Sequence, residues 1–392
     1  MSQWREVTLK EIGELARGKS KHRPRYDPIL YGGKYPFIQT GDIKNANRTI
    51  TKYEQTYNEV GLAQSRLWPK GTLCITIAAN IAETAILGID ACFPDSVVGF
   101  IPDKDKCNVH YIYYYLQWYK KNIQQLAYGT VQDNINLKTF DNVKILLPPL
   151  EIQESIASIL GSLDDKIELN LKMNETLEEM AMTLYKHWFV ENEDLERVSI
   201  EEFGSIIGGG TPKTTVAEYW DGNIPWISVK DLNSAVIIET EKKITEAGLN
   251  NSSTKLLPSF STVLSARGTI GNISIIGKEM TMNQSCYAIK AKDELDCFVF
   301  LTLKSSINTL INQSHGSVFN TITKDTLKSL ELPFDKDFAI KFEKKVKPMF
   351  LQILSNTLEN KELQDIRDYL LPRLLSGEID LSKAEKQVEK VL

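Results

Sequence analysis

Apolar positions along this chain follow two rhythms, and the pair of rhythms occurs twice. From Ile152, apolar residues recur at Ile156, Ile159, Leu163, Ile167, Leu177, Ala181, Leu184 and Trp188, mostly three or four apart. That is the period of one helix face, and no proline interrupts it after Pro149. A second such run holds Val346, Met349, Ile353, Leu363, Ile366, Leu370 and Leu374, and ends at Ser376-Gly377, where glycine is a natural stop. The stretch before each helix reads differently. Short β-branched runs such as Thr72-Leu73-Cys74-Ile75-Thr76-Ile77 and Thr262-Val263-Leu264-Ser265 predict strands among Gly and Pro punctuation. The run Tyr111-Ile112-Tyr113-Tyr114-Tyr115-Leu116 predicts a buried element whose period fits helix and strand equally. Each repeat therefore predicts an α+β globule of about 145 residues followed by a long helix.

A helix of about 39 residues spans roughly 58 Å at 1.5 Å per residue, more than a globule of that size can cover. It must leave its own domain, and two such helices bury their stripes most simply against each other as a coiled coil. A short connector at residues 191–195 makes them antiparallel, which places two globules at opposite ends about a pseudo-twofold axis. Asn170 and Asn174 fall on the apolar seam, as do Asn356 and Asn360 at an offset of 186. Buried asparagines fix register, because a slipped pairing leaves their amides unsatisfied; the alternative places them in solvent beside the seam.

The duplication is visible in the letters at a period of about 189 residues. Arg5-Glu6-Val7-Thr8-Leu9 answers to Glu196-Arg197-Val198-Ser199-Ile200. Gly33-Lys34-Tyr35-Pro36-Phe37-Ile38 answers to Gly222-Asn223-Ile224-Pro225-Trp226-Ile227, and Asp42 to Asp231. Leu67, Pro69, Ile81, Ile86 and Gly88 match Leu256, Pro258, Ile270, Ile275 and Gly277. Gly129-Thr130-Val131 pairs with Gly316-Ser317-Val318, and Leu147-Pro148 with Leu332-Pro333.

Composition is ordinary for a globular protein of 392 residues, with 42% hydrophobic and 25% charged residues. No apolar run approaches a membrane span. The opening Met1-Ser2-Gln3-Trp4-Arg5-Glu6 has no signal core, so the chain is expected in the cytoplasm. Five scattered cysteines without a C-x-x-C pair read as reduced, buried thiols. Net charge is −5, but its distribution is uneven. Residues 1–53 carry eleven Lys or Arg against five acids, a net of +6, whereas residues 151–190 carry a net of −5. The first segment could meet phosphate and the second should avoid it.

Within the basic segment Arg17, Lys19, Lys21, Arg23 and Arg25 occupy every second position. If that stretch is extended, all five point to one side, as a groove-facing strand or loop requires; the bland alternative is a solvated loop. Lys44 and Arg48 extend the basic set. Residues 210–290 hold eight basic and seven acidic groups, and the DNA-contact candidates there are Lys213, Lys230, Asn233 and Arg267. Arg267 could read guanine or pair with a carboxylate. Residues 13–20 match G-x-x-x-x-G-K-[ST] letter for letter. A phosphate loop needs a buried strand before it and a helix at its Lys; Leu9-Lys10-Glu11-Ile12 is half polar, and Lys21-His22-Arg23-Pro24-Arg25 cannot easily open a helix. Pro148-Pro149 lies between leucines, not in a methyltransferase N/D-P-P-Y/F tetrad, and four histidines suggest no metal site or triad. No catalytic or metal-binding residues are assigned.

These motifs, in this order and twice over, resemble the specificity subunits of Type I restriction-modification systems. The resemblance rests on Gly209-Gly210-Thr211-Pro212 with Glu218-Tyr219-Trp220 and Ile224-Pro225-Trp226-Ile227, on Gly129-Thr130-Val131-Gln132 with Asn134-Ile135-Asn136, and on Leu147-Pro148-Pro149-Leu150-Glu151-Ile152-Gln153. Leu184-Tyr185-Lys186-His187-Trp188-Phe189-Val190 and Leu374-Leu375-Ser376-Gly377-Glu378-Ile379 complete it. The first repeat departs from the pattern, with Gly18-Lys19-Ser20 where Gly-Thr-Pro is expected. The resemblance implies target-recognition domains over 1–150 and 191–336, and spacer helices over 151–190 and 337–392, the last with a tail. Each domain would read half of a split double-stranded DNA site, and the helices would set the gap. It also implies two methyltransferase subunits as partners, with restriction subunits able to join. S-adenosylmethionine, ATP and Mg2+ would sit on those partners and none on this chain. A free-standing bipartite DNA-binding regulator or decoy without enzyme partners is the alternative.

Overall fold

Each half of the chain builds a five-stranded sheet with the same strand order and directions. The first runs Gly13–Arg17, Val97–Pro102, Leu73–Thr76, Thr84–Leu87, Thr49–Ile50. The second runs Gly204–Gly208, Cys286–Ala291, Thr262–Ser265, Ile273–Ile276, Val236–Ile237. Neighbours are antiparallel except the last pair, which is parallel in both sheets. The central strands are buried along their whole length, which is why they hold apolar and small hydroxyl residues and no charge. A computed structural model describes residues 4–128, 135, 137–315 and 321–392. The motif residues Gly129 to Asn134, Asn136 and Gly316-Ser317-Val318 lie outside the described residues.

A buried helix covers each sheet: Val109–Tyr128 in the first half and Asp296–Ser305 in the second. The tyrosine-rich run at 111–116 is thus helical. It tolerates burial because its hydroxyls find carbonyls around the helix, Tyr111 donating to Leu146 O at 2.5 Å, Tyr113 to Asn47 O at 3.0 Å and Tyr115 to Lys144 O at 3.1 Å. The matched aspartates do matched work. Asp42 accepts the Gln39 N–H and Asp231 the Ser228 N–H, each at 2.7 Å, at the start of a short helical turn.

The two long helices run Leu150–Tyr185, continued by a π turn at Lys186–Val190, and Lys336–Ser376. The chain forms two compact units, residues 1–168 with 362–392 and residues 169–361. Each unit thus holds part of both helices. In the first unit Ile156, Leu160 and Leu163 join Leu363, Leu370 and Leu374 in one core with Phe100, Tyr111 and Tyr114. The terminal helix Leu381–Val388 adds Ala384 and Val388 to it. In the second unit Ala181, Tyr185 and Phe189 pack with Val346, Phe350 and Ile353 around Phe298 and Phe300. Compact packing thus groups each globule with the stretches of both helices that lie against it. A helix stripe wide enough to face both a partner helix and a globule belongs to the core of that globule.

Within the second unit the seam asparagines meet across the helices. Asn170 Nδ2 donates to Asn360 Oδ1 at 2.9 Å and to Glu359 Oε2 at 2.8 Å. One turn on, Asn356 Nδ2 donates to Asn174 Oδ1 at 2.8 Å. The first helix ascends from 170 to 174 while its partners descend from 360 to 356, so the pairing is antiparallel.

A side chain from the long helices also caps each covering helix, and here the repeats differ in charge. Gln153, fully buried, accepts the Asn108 N–H at 3.0 Å and donates to Pro148 O at 2.8 Å and Lys106 O at 3.3 Å. In the second unit Glu343 accepts the Cys297 and Phe298 N–H groups at 3.1 and 2.8 Å. Burial pushes the Glu343 carboxyl above its ordinary range, against the two N–H groups that favour its charge. A carboxyl raised in this way contributes most below the usual carboxylate range and loses that contribution as pH rises. As pH rises above the usual carboxylate range, wild type should therefore lose stability relative to Glu343→Gln, which does not titrate but leaves one of the two N–H groups without an acceptor, whereas Glu343→Ala should lose about 3 kcal/mol by orphaning both buried donors. Gln153→Glu should cost a similar amount, because a carboxylate cannot donate to two carbonyls. Thermal denaturation of the three variants across that pH range decides it.

Candidate nucleic-acid interface

The letters of the phosphate-loop pattern form a strand. Residues Gly13–Arg17 pair along Val97–Pro102, and a Cβ on Gly13 would stand 2.3 Å from Ile101 O. Gly18 continues the pairing, its N–H donating to Val97 O at 2.8 Å. These glycines serve close backbone approach. The first helical turn after Lys19 is the three-residue Pro28–Leu30, so no helix N-terminus stands behind the lysine to cradle phosphate.

The basic run departs from a single extended row. Its strand stops at Arg17 and the chain bends over residues 22–26, where Asp27 then caps the Pro28–Leu30 turn through Ile29 N. Three of the five cations converge on one acidic residue instead of sharing a face. Arg25 Nη2 lies 2.9 and 3.0 Å from the two Asp95 carboxylate oxygens, Arg23 Nη2 lies 4.0 Å away, and Arg17 Nε donates to the Asp95 carbonyl. Lys19 and Lys21 are exposed and make no ion pair among the described residues. An exposed ion pair contributes about 0–1 kcal/mol, so Arg23 and Arg25 can exchange Asp95 for a phosphate at little cost.

Arg48 cannot. Its side chain is only 14% exposed, with the guanidinium bound to Asp165, to the Gly161 carbonyl at 3.3 Å and to the Tyr114 hydroxyl at 3.4 Å. Tyr114 in turn donates to Asp164 at 2.6 Å, and Arg367 meets the other Asp164 oxygen at 2.8 Å. Arg48, expected among the DNA contacts, is thus engaged in fastening the first globule to its own stretch of helix. Lys44 stays exposed on the short helix Thr40–Asn45 and lines a cavity of about 330 Å³ with Tyr113, Gln117, Asp164 and Arg367.

In the second unit Lys230 and Asn233 come together with Thr269 and Asn272 on a groove of about 580 Å³, which Lys304 also lines, paired to Glu178. Lys213 and Arg267 are exposed elsewhere on the unit and neither makes an ion pair among the described residues. At the offset that matches Asp95, this repeat carries Gln284, to which Thr211 donates, so no carboxylate competes for its cations there.

Sequence reasoning singled out Arg267 but missed that the loop holding it, between two central strands, has the same geometry in both repeats. Residues 76–83 and 265–272 carry the same hydrogen bonds at an offset of 189. Thr76 Oγ1 donates to Asn80 O and accepts from Glu83 N; Ser265 Oγ donates to Thr269 O and accepts from Asn272 N. Left-handed residues sit at matching positions, Ala79 and Ala82 (φ 63° each) against Gly268 and Gly271 (φ 77° and 95°). The glycine pair was readable; that two alanines copy it was not, since alanine disfavours that region by roughly 1–2 kcal/mol.

If Arg48 is a fastening and not a contact, Arg48→Ala should lower stability by about 2 kcal/mol. It should leave the salt dependence of DNA binding unchanged, which denaturation and binding titrations in parallel can check.

The family model described as the Type I restriction modification DNA specificity domain matches residues 1–179 and again 192–367. The chain is 27% identical to the Type I restriction enzyme HindI specificity subunit of Haemophilus influenzae, over 97% of this chain and 100% of that protein. It is 26% identical to the MjaIX specificity subunit of Methanocaldococcus jannaschii, over 96% and 93%. The crystal structure of a Type I restriction-modification S subunit from M. genitalium shares the fold, with a TM-score of 0.62 at 16% identity over 95% and 96% of the two chains. Matched once in each half of its length, by a model that its full-length relatives bear in their names, the chain belongs to the Type I restriction-modification DNA specificity family.

Proposed function

We propose that this chain is the DNA-recognition subunit of a Type I restriction-modification complex, each globule reading one half of a split double-stranded site. The observation that carries the reading is the duplicated scaffold. Two sheets share one strand order and one loop backbone, while their exposed polar side chains differ, the pattern expected when one fold reads two different half-sites. The partners are two methyltransferase subunits, joined in the full nuclease by restriction subunits. They carry S-adenosylmethionine, ATP and Mg2+, and this chain supplies recognition and no bond-making chemistry. The recognition globules are residues 1–150 and 191–336, and the helices between and after them serve as spacers. Lys19, Lys21, Lys44, Lys213 and Lys230 are positioning contacts to phosphate, as are Arg17, Arg23 and Arg25 when they exchange Asp95 for it. Asn233 adds a polar contact.

Co-expression with the cognate methyltransferase and genome-wide mapping of methylated positions tests the reading directly. A split sequence is expected. A chain that purifies alone and binds a split site without any methyltransferase would favour the free-standing regulator. On purified complex, Lys19→Glu with Lys21→Glu should weaken binding at every sequence alike and flatten the salt slope by about two units, one per lost phosphate contact. An unchanged slope would return both lysines to the solvated loop.

The helices set the unread gap, with the asparagine pairs at 170/360 and 174/356 holding their register. Lengthening both by four residues, after Asn174 in the first and before Asn356 in the second, adds about 6 Å. That is close to two base pairs at about 3.4 Å each. Methylation mapping should then return the same half-sites around a longer gap, with some affinity lost to the added twist of the DNA. The old gap, or altered half-sites, would show that the helices do not measure the DNA.

A further inference from the structure

We infer that Arg267 is the guanine-reading, specificity-determining residue of the second half-site, and that the first half-site is read without a counterpart. The inference rests on the recognition function proposed above and assigns one base pair to one side chain.

Rigidity of the loop is the first ground. Besides the two Ser265 hydroxyl bonds, its backbone is fixed by Ala266 N to Ser285 O at 2.8 Å, Gly271 N to Ser265 O at 3.2 Å and Ile322 N to Ala266 O at 3.0 Å. Arg267 stands between two such anchored residues, exposed and without a hydrogen bond or ion pair among the described residues. A free guanidinium on a fixed backbone suits bidentate recognition of guanine O6 and N7, where misplacement is costly. The cations around Asp95 lack this property, each being already engaged.

The duplicate supplies the second ground. Its loop keeps the same bonds: Ile77 N to Ser96 O at 2.9 Å, Ala82 N to Thr76 O at 2.9 Å and Ile135 N to Ile77 O at 3.2 Å. It also keeps the left-handed turns at Ala79 and Ala82, where alanine bears a steric cost that a loop of indifferent shape would have relaxed away. Shape is thus preserved while the letters change: Ala78 stands for Arg267 and Asn80 for Thr269. A conserved frame with exchanged side chains is what separates two readers of different sequence.

The test compares wild-type, Arg267→Ala and Arg267→Lys chains, each co-expressed with the methyltransferase, by genome-wide methylation mapping. Both variants should relax one G·C position in one half-site, lowering discrimination there about ten- to a hundredfold, and leave the other half-site intact. Lysine keeps the charge but not the paired donors, so it should fail to restore the preference. Should methylation in cells fall below detection, binding of the purified complexes to duplexes carrying each base pair at each position reads the same discrimination. A split sequence that survives Arg267→Ala unchanged overturns this inference alone. So does a uniform loss of affinity that Arg267→Lys rescues, which would make Arg267 a phosphate contact. A wild-type complex that methylates no split sequence overturns the recognition function itself.

Discussion

Burial of two apolar helix stripes, each too long for any one globule, is the constraint on which the rest of this protein depends. Leu160 and Leu163 from one helix and Leu363 and Leu370 from the other enter the same core as the first sheet. Ala181 and Tyr185 with Val346 and Ile353 do the same in the second unit. Neither helix could remain solvated with such a face, and neither unit would have a closed core without both helices. Polar groups placed on the same seam turn that hydrophobic requirement into a defined alignment. In this register Asn170, which is 1% exposed, has both of its amide hydrogens accepted, one by Asn360 and one by Glu359.

The same constraint explains which charges remain available to a partner. Side chains near the helices are drawn into fastening: Arg48 to Asp165, Arg367 to Asp164, Lys304 to Glu178. Those on the far turns and loops, such as Lys19, Lys213 and Arg267, have no such claim on them. Cationic content alone therefore says little about an interface. What separates a contact residue from a structural one is whether its partners are buried and already satisfied.

Much of the fold could be read from the letters because its signals are local or repeated. The helix stripes, the strands at 73–76 and 262–265, and the capping aspartates at 42 and 231 all announce themselves within a few residues or through their duplicates. The tyrosine run at 111–116 was ambiguous because helix choice there depends on carbonyls at Asn47, Lys144 and Leu146, far along the chain. The site was less legible for the same reason. Arg48 looked like part of a basic surface because its partner lies 117 residues away. Alternation from Arg17 to Arg25 implied a strand, but alternation of charge carries no information about where the backbone turns, and Asp95 is 70 residues from Arg25.

The unlike caps have a bearing on how such a chain can be reassembled. Asn108 and Cys297 begin equivalent helices, yet the groups that satisfy them, Gln153 and Glu343, sit beyond the globules on the long helices. A graft exchanging only residues 5–147 for 196–334 would face the Lys106 carbonyl with a carboxyl group in place of the amide that donates to it, and would leave two backbone amides to share the one oxygen of Gln153 where each now has a Glu343 oxygen of its own. The exchangeable module is consequently larger than the globule. A viable crossover has to fall past the first turns of the long helix, so that each cap travels with the helix it serves.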